Sequence, residues 1–143
     1  MAEQQSVRLD IPAHPEAVGE ARDAVRELMD KWGPDDVIDD LILCLSEALT
    51  NALTHAVHGA TLAVRVSRTE TFLRIEVTDC DRRPPVLAIP VEVVLVGKQL
   101  PERLLEEHGR GLFLIDAMST RWGIEPRCPG KVFWFERDIA RSL

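Results

Sequence analysis

The chain contains no tyrosine, and aromatic residues make up only 5% of its 143 residues. A surface that stacks nucleic-acid bases needs exposed aromatic rings, so that class of binder is not expected. Cations are in the minority: 17 lysines and arginines stand against 24 aspartates and glutamates, a formal net charge of −7. Direct nucleic-acid contact and attachment to an anionic membrane both rest on clustered positive charge, and neither is expected. Cysteine is scarce and odd in number, at Cys44, Cys80 and Cys128. With no close pair there is no disulfide framework and no Cys-x-x-Cys metal knuckle, and the pattern predicts three free thiols in a reducing cytoplasm. Long apolar runs are missing too. Val86 to Gly97, the longest, is interrupted by Pro90 and Glu92 and falls short of the roughly 18–20 residues of a membrane span. The opening Met1-Ala2-Glu3-Gln4-Gln5-Ser6 has no secretory pattern. No Gly-x-Ser-x-Gly nucleophile elbow, internal repeat or low-complexity linker occurs.

What remains is the composition of a folded globule, 45% hydrophobic and 29% charged. Its length suits one core and a single domain over 1–143. Val7, Leu9 and Ile11 alternate with polar residues and predict a short strand. Val18, Ala21, Val25, Leu28, Met29 and Trp32 recur every three or four residues and predict an amphipathic helix, stopped by Gly33-Pro34. Asp35 opens a longer helix whose apolar face runs from Ile38 through Leu41, Leu45, Leu49 and Leu53, with Gly59 as its terminator. Leu62–Val66 and Leu73–Val77 alternate and are joined by the polar link Ser67–Thr71, which predicts a hairpin. After an irregular stretch, Gly109-Arg110-Gly111 opens a third helix from Leu112 to about Thr120. Strands are then expected near Trp122–Glu125 and Lys131–Asp138, around a turn Pro126–Gly130. Hairpins require antiparallel pairing, and the helices must cover one face of the sheet. The expected fold class is α/β (α+β), a two-layer sandwich with a mixed, mostly antiparallel sheet.

Three places carry candidate chemistry. Glu47 and Asn51 lie four apart on the long helix and share a face. A carboxylate can take a proton, and an amide oxygen one turn away can ligate a hard cation such as Mg²⁺. Spacing alone is explained as well by an ordinary solvated face, shared with Asp40 and Thr54. Asp79 follows an alternating strand, where a carboxylate can accept from a ligand's amino group or cap its own loop. Gly109-Arg110-Gly111 precedes a helix, where free N–H groups can meet a phosphate. A loop that merely needs positive φ explains the glycines equally. Arg110 and Lys131 could add positive charge there or be ordinary solvated residues. His55 and His58 stand three apart, but no further zinc ligands are spaced to join them.

The order of these pieces is more specific than any one of them. A helical Glu47-x-x-x-Asn51-x-x-x-His55, a hairpin ending in Val77-Thr78-Asp79, a variable loop closing on Gly109-Arg110-Gly111-Leu112, and Gly130-Lys131-Val132-Phe133-Trp134 near the end follow in sequence. This arrangement resembles the gyrase, heat-shock chaperone, histidine-kinase and MutL (GHKL) ATPase superfamily. Within it the chain is most similar to the small stand-alone anti-sigma-factor serine kinases, the RsbW-like group of actinobacterial type. The similarity runs from about Val7 to Asp138.

The resemblance implies a Bergerat, or histidine-kinase-like, ATPase fold with a variable lid over about 86–111. It implies ATP and Mg²⁺ as cofactors, with Asn51 holding the metal and Glu47 acting as general base toward an attacking hydroxyl. It implies that Asp79 accepts a hydrogen bond from the adenine amino group, and that Gly109, Arg110, Gly111 and Leu112 bring backbone amides to the phosphates. The activity implied is that of a cytoplasmic serine/threonine-protein kinase and anti-sigma factor. Its partners would be a STAS-type antagonist, a sigma factor and a second copy in a homodimer.

Two departures stand out. The family's Asp-x-Gly-x-Gly is here Asp79-Cys80-Asp81-Arg82-Arg83, without either glycine. Val132 stands where a threonine is common, which would remove a hydroxyl from the adenine region. An alternative reading is therefore a non-catalytic module that sequesters a partner. A detached sensor-kinase catalytic domain is a third reading, disfavoured because no phospho-acceptor helix pair has room.

Overall fold

The computed structural model describes residues 5–55, 61–79, 112–126 and 131–139. The expected Gly59 terminator, the irregular stretch after Asp79, the lid over 86–111 and residues 127–130 of the last turn lie outside the described residues.

The chain opens with strand β1 (Gln5–Pro12), followed by α1 (Pro15–Met29) and α2 (Asp35–His55). Pro15 sits in the first turn of α1, where its missing N–H costs nothing, with Glu16 beside it and Arg26 in the last turn. Asp35 and Asp36 place negative charge at the positive end of α2. The turn between the helices lies close against the sheet. A Cβ added at Gly33 would stand 3.1 Å from Leu73 and 3.3 Å from Ile139, closer than packed side chains normally come.

The hairpin is longer in its strands and shorter in its link than the alternation predicts. β2 (Thr61–Arg68) and β3 (Phe72–Asp79) leave only residues 69–71 between them. Thr69 closes that turn, donating its N–H to the Phe72 carbonyl at 3.0 Å and accepting from the Phe72 N–H on its Oγ1 at 3.1 Å. Hydroxyl side chains bond locally in this way, which lets Ser67 and Arg68 stay in the ladder. Residues 112–118 form a helix, α3, ending earlier than expected; the Ser119 hydroxyl donates to the Ile115 carbonyl at 2.6 Å. With β4 (Arg121–Pro126) and β5 (Lys131–Asp138), the described residues form a five-stranded sheet of order β1-β2-β3-β5-β4, antiparallel at each ladder. The architecture is the expected α/β sandwich.

One sheet face is apolar and covered by helices. Val64, Val66, Ile75, Val77, Phe133 and Phe135 pack there against Val25, Met29, Ile38, Leu41, Leu45 and Leu49. The other face is ionic. Arg74 donates to Glu136 at 2.7 Å and to Glu76 at 2.9 Å, and Arg121 reaches Glu136 at 2.8 Å. The Arg74 guanidinium lies 4.5 Å from the centroid of the Trp134 ring.

Trp134 is buried and lies across Gly123 of the neighbouring strand. A Cβ on Gly123 would stand 2.7 Å from three atoms of the indole. That ring is wedged by Arg74 and cannot yield as a flexible chain end would. Gly123→Ala should therefore cost about 1–3 kcal/mol, the usual penalty for overfilling packed space. In a Trp134→Leu background the same alanine should cost almost nothing. Urea midpoints of the four proteins test this, and an equal penalty in both backgrounds would rule out the ring as its cause.

Candidate functional site

The direction of α2 brings the candidate residues to one end of the molecule. Asp40, near its start, accepts a hydrogen bond from Arg137, near the end of β5, and Arg137 also donates to the Met118 carbonyl at 2.8 Å. α2 packs over β3 and β5 and runs on from that anchor. Asp40 to Asn51 spans about 16 Å of helix, and Arg137 back to Lys131 spans about 20 Å of strand. The Glu47–Asn51 turn therefore lies toward the end of the sheet where β3 finishes and β5 begins.

At that end, Asp79 and Lys131 are directly opposite each other in the β3–β5 ladder. Both side chains share the face of Val77 and Phe133, the helix-covered face, because strand positions two apart point the same way. Asp79 is the last residue of its strand, not a loop residue beyond it, and only 7% exposed. Lys131 is also 7% exposed, so the solvated alternative for it is corrected. The long alkyl stem and ammonium of a buried lysine need a polar setting, and here a carboxylate lies across the ladder. Val132 pairs with Thr78 and so faces the opposite, ionic side of the sheet. Its missing hydroxyl cannot bear on Asp79; the one-residue offset of a strand reverses the side it serves.

On α2 the solvent stripe is Asp36, Asp39, Leu43 and Thr50, while Asp40, Glu47 and Asn51 are half-buried on its flank. The sequence picture of these three opposite the apolar face is thus shifted. They stand on the shoulder that Arg137 contacts, at the border between core and solvent. That position suits groups that must meet a ligand without being fully solvated. Leu112 opens α3 with its side chain in the core, so its backbone N–H is the part left for a ligand. Gly109, Arg110 and Gly111 lie outside the described residues.

Cys44 completes the α2 shoulder between Asp40 and Glu47. Its thiol is fully buried, and that burial, reinforced by the Asp40 carboxylate and partly offset by Arg137, pushes its pKa from 9.0 up to about 12. Below pH 9 the thiol keeps its proton in both folded and unfolded chains, so its contribution is complete. As pH rises from 9 toward 12, the unfolded thiol ionises and the folded one does not. Stability should then fall by on the order of 1.4 kcal/mol per pH unit. Cys44→Ala should flatten that slope, whatever its effect at neutral pH. Urea titrations between pH 8 and 10.5 check this; parallel slopes for the two proteins would refute it.

Residues 11–134 match the family described as histidine kinase-like ATPase domain. A serine-protein kinase RsbW of Oceanobacillus iheyensis is 30% identical over 122 residues, covering 82% of this chain and 77% of that protein. A serine-protein kinase RsbW of Halalkalibacterium halodurans is 29% identical over 119 residues, 82% of this chain and 74% of the relative. An uncharacterized protein of Streptomyces coelicolor is 38% identical over 85 residues, 58% of this chain and 70% of its own length.

Proposed function

Since the chain belongs to the histidine kinase-like ATPase domain family, we propose that it is an ATP-dependent regulatory serine/threonine kinase that acts as an anti-sigma factor. The observation that supports this reading is the burial of Asp79 at the end of β3, under a sheet face on which α2 packs with Glu47 and Asn51 half-buried on its flank, in a chain whose relatives include two serine-protein kinases.

The donor set fits the ligands. Asp79 is an acceptor-only carboxylate, suited to the exocyclic amino group of adenine. Asn51 offers a neutral oxygen to Mg²⁺, next to a carboxylate that is one turn away. Mg²⁺ held by Asn51 would supply charge neutralisation at the phosphates. Glu47 takes the proton from a serine or threonine hydroxyl of the acceptor protein. Bound ATP would supply the γ-phosphoryl group, which would pass to that oxygen as its bond to the β–γ bridging oxygen breaks, with ADP as the leaving group. The Leu112 N–H, with Gly109, Arg110 and Gly111, would face the phosphates. The acceptor we assign is a STAS-type antagonist, with a sigma factor as the second partner. The whole of 1–143 would act as one nucleotide-binding domain, working in the cytoplasm.

A calorimetric titration with Mg-ATP, followed by incubation with labelled ATP and a STAS-type protein, tests the proposal. Nucleotide binding with phosphate appearing on serine or threonine is the expected result. One sequence observation favours a second reading: Asp81 and Arg83 stand where the family has glycines. Absence of ATP binding, with a sigma factor still bound, would establish sequestration without catalysis.

A further inference from the structure

We propose that Lys131 is a base-reading residue, its ammonium donating to N1 of adenine while Asp79 accepts from the neighbouring amino group. The inference rests on the nucleotide reading given above and adds a residue to it.

A lysine is almost never buried unless its charge is matched. Lys131 is as buried as Asp79, its direct partner in the β3–β5 ladder. Directly opposed residues start about 4.5–5.5 Å apart at Cβ, and both of these stand on the helix-covered face with Val77 and Phe133. The flexible stem of a lysine spans such a gap with length to spare. A ligand group that reaches the Asp79 carboxylate therefore comes within reach of the Lys131 ammonium.

Matching the charge of Asp79 does not use up this group. An ammonium has three donors and no acceptor, and one carboxylate cannot take all three. Adenine places an acceptor, N1, directly beside its 6-amino donor. An acceptor-only carboxylate next to a donor-only ammonium is the complement of that edge. Guanine presents the reverse order, a carbonyl oxygen beside an N1–H, and the same two groups disfavour it in that position. A site built to hydrogen-bond a ligand atom rejects an analogue lacking it, because its own buried polar group is then left unmatched. Charge compensation alone would support every nucleotide that Asp79 binds. Donation to N1 fails only when N1 is absent.

Calorimetric titrations with the Mg²⁺ complexes of ATP and 1-deaza-ATP, in which a C–H replaces N1, test this without any acceptor protein. Wild type should bind ATP about ten- to hundredfold more tightly than the analogue. Lys131→Met keeps an unbranched side chain and removes the donors, and its preference should fall to near unity. That single change leaves the Asp79 carboxylate buried without its cation, which can unfold a domain. Asp79→Asn combined with Lys131→Met removes both charges together. Asp79→Asn alone should still prefer ATP over the analogue, and the combined variant should not. Wild type that binds ATP and 1-deaza-ATP alike overturns the role of Lys131 and leaves the nucleotide reading standing. A Lys131→Met protein, or the combined variant, that keeps the wild-type preference overturns it too and makes Lys131 a counter-charge only. Wild type that binds neither nucleotide overturns both readings.

Discussion

Glu47→Ala is expected to phosphorylate a protein acceptor about 10²–10⁴ times more slowly than wild type, the usual loss when a general base is removed. Its affinity for Mg-ATP should stay near the wild-type value. The reason lies in the shoulder of α2. Glu47 is half-exposed on a helix whose packing face is formed by Leu41, Leu45 and Leu49, so its removal leaves the core intact. Asn51, one turn on, should fail in a different way: Asn51→Ala should weaken nucleotide binding only when Mg²⁺ is present. Phosphate incorporation at saturating Mg-ATP is the deciding measurement. Equal incorporation by wild type and Glu47→Ala would end the assignment of the base.

Asp79→Asn should weaken ATP binding about ten- to hundredfold, since a hydrogen bond to a charged group is worth about 1.5–3 kcal/mol. Asp79 is buried opposite Lys131 and takes part in interactions of its own. A loss of affinity could then come from local rearrangement as well as from the missing contact. The nucleotide separates the two. Purine riboside triphosphate lacks the 6-amino group, so wild type should bind it more weakly than ATP. Asp79→Asn should discriminate between the two less sharply, because a neutral amide oxygen accepts more weakly than a carboxylate. If the mutant discriminates as sharply as wild type, Asp79 does not read that amino group.

Much of this candidate site was legible before the fold, for physical reasons that differ by residue. Glu47 and Asn51 were visible because helical periodicity places residues four apart on one face, and it needs no tertiary information. The shoulder they occupy was not, because it depends on Arg137, almost a hundred positions away in sequence, reaching Asp40 and the Met118 carbonyl. Asp79 was visible as a carboxylate at the end of an alternating run. Its burial came from ladders to Leu62 and Lys131 on either side. Lys131 was the weakest signal: a lysine at the start of a strand is usually solvated, and nothing local marks this one as buried.

Composition and alternation alone determined the class of the molecule. They led to an α/β layer pair and to the order of strands and helices, because apolar period and turn chemistry act within a few residues of each other. The register across strands was decided only in three dimensions. It put Lys131 beside Asp79 and turned Val132 to the ionic face. It set Gly123 beneath the Trp134 ring, and it left β1 as an edge with Arg8 and Asp10 exposed. Register joins residues far apart in the chain, and a shift of one position reverses the side each residue serves. Local sequence contains the period of a strand but not its partner.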